Sequence, residues 1–114
     1  MVANVSIPIS ADDLEEAAEG RSWVFLITAG RSDEAAHVVS LTADWSAGGV
    51  IRLAVGDGRA ARNIASGSAP VVVFPPGGSG DRVDYSIIVD GAASLVDGVL
   101  TITPTGAMWH RPAP

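Results

Sequence analysis

Val83-Asp-Tyr-Ser-Ile-Ile-Val-Asp-Gly-Ala-Ala-Ser-Leu-Val-Asp-Gly-Val-Leu-Thr-Ile-Thr103 is the stretch on which the fold turns. Its β-branched content predicts one long strand from Val83 to Leu95. Gly91 interrupts that strand, and a missing Cβ marks a bend or a close backbone approach there. Asp97-Gly98 is a strong two-residue hairpin signal, because both positions of that turn need positive φ. It returns the chain into a second strand, Val99–Thr103. A long hairpin of this kind exposes two edges, which the rest of the chain must cover.

Working outward, other segments supply strands of the same type. Trp23–Thr28 (WVFLIT) reads as a buried strand from its aromatic and β-branched residues. A polar turn leads to Ala36–Ala43, the Ser46–Gly49 turn follows, and Val50–Val55 alternates with Arg52 outward. Val71–Phe74 is short and apolar and ends at Pro75-Pro76. Two short helices complete the list. Ser10 and Asp13 form a capping-box pattern ahead of a helix over 11–19, with Ile9 stapling to Leu14 and Gly20 as the stop. A second helix spans 58–66. Six strands joined mostly by hairpins, with only two helices, predict a mainly β domain closed as an antiparallel barrel, since closure removes exposed edges.

Composition narrows the function classes. A chain of 114 residues suits one domain, 1–114. Without cysteine it has no disulfide, no thiolate nucleophile and no Cys-rich zinc site. The net charge of −6 argues against nucleic acid as a partner. No apolar run approaches the roughly 20 residues that cross a bilayer, so no membrane partner is expected. Met1 is not followed by a basic segment and an apolar core, which makes a cytoplasmic location the expectation. Two histidines, His37 and His110, without a carboxylate pair make no case for a metal.

The charges are unevenly placed. All seven basic residues are arginine, and five of the thirteen acids lie between Asp12 and Glu19. From Gly58 to Gly80 there is no acid, and that stretch holds Arg59 and Arg62. In helical geometry Arg59, Arg62, Asn63 and Ser66 share one polar face. A cation in a first turn opposes the helix dipole by about 0.3–1 kcal/mol, and a bound phosphate reverses the sign. The segment is therefore either a solvated face, with Asp57 neutralising Arg59, or an anion seat. The tail from 104 to 114 carries Trp109, His110 and Arg111. An indole there either docks on this chain or a partner, stacking on a planar ring, or belongs to a strand extension that seals the barrel.

The ordered set WVFLIT, AAHVVSLTADW, VIRLAV, GRAARN, PVVVF, DYSIIVDGAASLVDG and ITPT resembles the FMN-binding split-barrel proteins related to pyridoxamine 5'-phosphate oxidase, over residues 20–112. It is most similar to the small actinobacterial flavin or deazaflavin oxidoreductases of that group. The resemblance implies a six-stranded antiparallel split β-barrel and a homodimer with a flavin at its interface. It implies FMN, or alternatively F420, held through its phosphate by Arg59 and Arg62 with Asn63 nearby. Val39, Ser40, Leu41 and Thr42 would line the ring, and Trp109 and His110 would complete the cofactor site. The implied activity is oxidation or reduction of a small-molecule substrate, with non-catalytic binding of a flavin or another anionic ligand as the alternative. No side chain is singled out as catalytic, because a flavin carries the hydride chemistry itself.

Overall fold

A computed structural model describes residues 5–111. The chain is mainly β with two short helices. Its strands are β1 (Val5–Ile9), β2 (Trp23–Thr28), β3 (His37–Thr42), β4 (Asp44–Ser46), β5 (Val50–Ala54), β6 (Val71–Phe74), β7 (Ser86–Val96) and β8 (Val99–Arg111). A 3-10 turn over Ala11–Asp13 runs into α1 (Leu14–Ala17), and α2 spans Arg59–Ala65. All strand pairs are antiparallel, in the order β3-β2-β6-β7-β8-β5-β4, with β1 on the free side of β8.

The two ends of this order, β3 and β4, are separated in the chain only by Ala43. Its N–H donates to the Ser22 carbonyl at 3.0 Å, so one nearly continuous strand pairs with β2 through its first half and with β5 through its second. The sheet therefore curls back on itself. Inside the curl lie Val24, Leu26, Ile51, Leu53, Val72, Phe74, Ile87 and Leu100, each fully or almost fully buried. Burying a side chain of this size contributes about 1.5–3 kcal/mol. Trp45 stacks on Phe74 with ring centroids 5.9 Å apart and carries the β4 segment onto this core.

The hairpin at 83–103 forms as its sequence predicts at the turn and at the bend. Asp97 and Gly98 have φ of 51° and 78°, and Val96 pairs with Val99. The register slips between Asp90 and Gly91, where a Cβ would stand 2.6 Å from the Thr103 carbonyl oxygen. The start differs, because Tyr85 N–H closes a turn onto Arg82 and the strand begins at Ser86.

The expected count of six strands is corrected to eight among the described residues. β4 is a three-residue ladder on β5. β1 pairs with 107–111, which makes residues 104–111 of the expected tail a continuation of β8. The remaining tail residues, 112–114, lie outside the described residues, as do residues 1–4. At the first helix, the Ser10 hydroxyl donates to the Asp13 carboxylate at 2.9 Å, so the capping-box pair meets side chain to side chain and caps no backbone N–H. That helix ends at Ala17, two residues short of its expected end, and Gly20 turns the chain at φ 81°. No helix among the described residues is long and apolar enough to cross a membrane.

Candidate functional site

α2 sits at the end of the curled sheet where β2 finishes. Gly58 is its N-cap in extended geometry, no acid occupies its first turn, and no side chain caps it. Arg59 reaches away from the helix to the 31–36 loop. Its Nη2 donates to the Ala35 carbonyl at 3.0 Å and lies 3.8 Å from a Glu34 carboxylate oxygen. That pair is half exposed and worth at most about 1 kcal/mol. The Nε of Arg59 is buried and has no hydrogen-bond partner. A buried N–H without an acceptor is costly and marks a place where an acceptor fits. Arg62, one turn on, is exposed.

Asn63 does not share the polar face with these arginines. It turns inward with Ala60 and Ala61, and its Nδ2 donates to the Thr28 hydroxyl at 3.0 Å. Thr28 is fully buried at the end of β2, so this bond pins α2 to the sheet. Asn63 also borders an open recess with Arg31, Ser66 and Ser68. The Ser68 hydroxyl there accepts from the Ala29 N–H at 2.8 Å.

Residues 39–42 divide between two faces, as strand alternation requires. Val39 and Leu41 turn inward and pack on the core, whereas Ser40 and Thr42 face outward. Ser40 and Thr42 pair across the ladder with Phe25 and Trp23, and a shallow outer recess is lined by Trp23, Ser40, Leu41 and Thr42. The expectation that Trp23–Thr28 is a buried strand is thereby corrected: its burial alternates, and Trp23 is 43% exposed. The register extends this outer face across the sheet. Ile27 lies beside Val38 and Val71, and Phe25 leads through Val73 and Ile88 to Met108. Val38 and Val71 are exposed there.

Trp109 and His110 point to opposite faces of β8. Trp109 packs against the core of its own chain, beneath Arg21 and Arg82 at 5.3 and 5.2 Å from the ring centroid, with Tyr85 edge-on at 6.2 Å. Of the two readings of the tail, the strand extension is the one found, and through it the indole packs on its own chain. His110 pairs with Ser86 and Ser6 on the outer face. The Trp109 cluster lies beside Arg21, and α2 is pinned seven residues along at Thr28, about 23 Å of extended chain away. Arg59, Arg62 and Trp109 are therefore not brought together within one chain.

The residue that sequence reasoning missed is Arg21. It is 91% buried, given its relative exposure of 9%. Its Nη1 donates to the carbonyls of Tyr85 at 2.6 Å and Pro75 at 3.2 Å, and its Nη2 to that of Arg82 at 2.8 Å. Burial pushes its pKa below the ordinary value by desolvation. A lone arginine between Gly20 and Ser22 has no local signature, because all three acceptors come from residues more than 50 positions away.

Comparison of the chain with family models, with curated proteins and with solved structures returned no match.

Proposed function

We propose that this chain is a split-barrel subunit of a homodimer that binds a phosphate-bearing flavin, FMN or alternatively F420, and acts as an oxidoreductase on a small molecule. The buried, partnerless Nε of Arg59 carries this reading. An anionic oxygen beside the first turn of α2 would satisfy that donor, meet a helix start that has no acid, and lie near the exposed Arg62. Strand β3 begins just beyond the loop that Arg59 grips and ends at the Trp23 recess. His37 to Thr42 spans about 17 Å, a length suited to a phosphate at one end and a ring system at the other.

A bound flavin supplies hydride transfer. The chain's own residues have plainer tasks. Arg59 and Arg62 fix the anionic end, Ser40 and Thr42 offer hydroxyls to ring heteroatoms, and Trp23 keeps water from one side. The apolar outer face through Trp23, Phe25, Ile27, Val38, Val71 and Val73 supports a subunit interface, since contiguous apolar surface of this kind favours a partner.

The visible absorbance spectrum of protein reconstituted with each cofactor tests the reading and separates FMN from the deazaflavin, which absorbs at shorter wavelength. Replacing Arg59 and Arg62 together with alanine weakens FMN at least tenfold and leaves riboflavin, which has no phosphate, almost unchanged. Equal loss for both ligands refutes the phosphate role.

A further inference from the structure

Arg21 is a buried cation without a counterion. Among the described residues the ion pairs are Arg59–Glu34 and Arg111–Asp84, and no carboxylate lies within 4 Å of Arg21. Its neighbours add positive charge. Arg82 shares the Trp109 ring with it, and both Arg82 and Arg111 stand over Tyr85, at 5.8 and 5.2 Å from the ring centroid. Three guanidiniums thus surround two aromatic rings in a protein of net charge −6. Neutral carbonyls satisfy its hydrogen bonds, and the acids Asp12, Glu15, Glu16 and Glu19 line a groove that it borders without forming an ion pair with it.

The three carbonyls use three of the five N–H donors of Arg21. The Nε–H and one Nη2–H remain, the donors that grip an oxyanion with two parallel bonds. Arg21 lines a recess of about 80 Å³ with the rest of residues 20–23 and 75–78, and its Nε would lie 3.5 Å from a Cβ on Gly78. Backbone packing shapes its wall. A Cβ on Gly20 would come within 3.2 Å of the Gly78 Cα, and one on Gly78 within 3.0 Å of the Glu19 carbonyl oxygen. The recess has room for a small tetrahedral or carboxylate anion. Arg21 also borders a groove lined by Asp12, Glu15, Glu16 and Glu19, whose charges repel an anion and leave the Pro75–Gly78 side as its approach.

We infer that the recess between Gly20–Trp23 and Pro75–Gly78 is a second anion site, in which the Arg21 guanidinium takes a small oxyanion of the phosphate, sulfate or carboxylate class. This site is distinct from the proposed flavin phosphate seat at the other end of β2. The test is an NMR titration of the full-length ¹⁵N-labelled protein with inorganic phosphate, against sodium chloride at matched ionic strength. The Arg21 Nε–H and the amides of Gly77 and Gly78 shift saturably with phosphate and not with chloride. Arg82→Gln, which keeps the backbone carbonyl that Arg21 uses, binds phosphate about fivefold more weakly, the scale of one nearby, half-screened charge. The Arg59→Ala/Arg62→Ala protein keeps the response. An equal response in chloride, unchanged affinity in Arg82→Gln, or loss of the response in the Arg59/Arg62 double variant overturns the inference.

Discussion

The Asn63–Thr28 hydrogen bond decides whether Asn63 serves the fold or a ligand, and a double-mutant cycle reads it directly. Thr28 is fully buried and its hydroxyl accepts from Asn63 Nδ2 at 3.0 Å. Thr28→Val preserves volume but leaves a buried amide N–H without its acceptor, at a cost of about 1–3 kcal/mol. Asn63→Ala leaves the Thr28 hydroxyl unpaired and adds lost packing, a cost of similar size. In the double variant neither group is stranded, so its cost falls short of the sum by about 1–2 kcal/mol. For a chain of 114 residues, 1 kcal/mol moves the melting temperature by about 4 °C, so the coupling amounts to about 4–8 °C. Differential scanning calorimetry of the four proteins measures it, with urea unfolding as a check at constant temperature. Additivity within about 0.5 kcal/mol refutes the pinning role.

Three further perturbations probe other parts of the molecule. Gly91→Val drives a side chain against the Thr103 carbonyl, which a Cβ alone would approach to 2.6 Å; urea unfolding registers a loss of about 1–3 kcal/mol. Arg21→Met leaves the carbonyls of Pro75, Arg82 and Tyr85 without their donor, so amides between 76 and 84 exchange with deuterium at least tenfold faster at temperatures where the sheet stays protected. Val38→Lys places a charge on the exposed outer face, and light scattering after gel filtration shows the parent as a dimer and the variant as a monomer; an unchanged mass removes that face from the interface.

The parts of the fold legible in the sequence are those decided within a few residues. Asp97-Gly98 states its turn through backbone chemistry alone, and Gly91 announces the bend, although not the carbonyl that requires it. β1 was not legible, because Ser6-Ile-Pro-Ile9 gains its partners only when residues 107–111 arrive beside it, about a hundred positions later. Pro8 inside the segment also argues against a strand until the strand proves to be an edge, where a missing N–H is tolerated. At the candidate site, the basic helix start was legible as an isolated charge pattern. The direction of Asn63 was not: a seven-residue helix allows either face, and the Thr28 hydroxyl, 35 positions upstream, settles it.

The arginines themselves divide into two groups with different physics. Arg31, Arg59 and Arg62 gather around the α2 end, where the contacts are exposed and the nearest acid is Glu34 at 3.8 Å. Arg21, Arg82 and Arg111 gather at the opposite end, where rings and backbone carbonyls surround them. Charges in the first group are screened over about 8 Å at physiological salt, so an anion held there is released as salt rises. Arg21 is nine-tenths buried and screened far less, so its hold on an anion rests on fixed donors and a matched recess. An acidic chain that spends six of its seven arginines on two such clusters attracts anions weakly at long range. Whatever anion selectivity it has must arise at contact, from the buried Arg59 Nε that lacks an acceptor and from the Arg21 donors that its three carbonyls do not use.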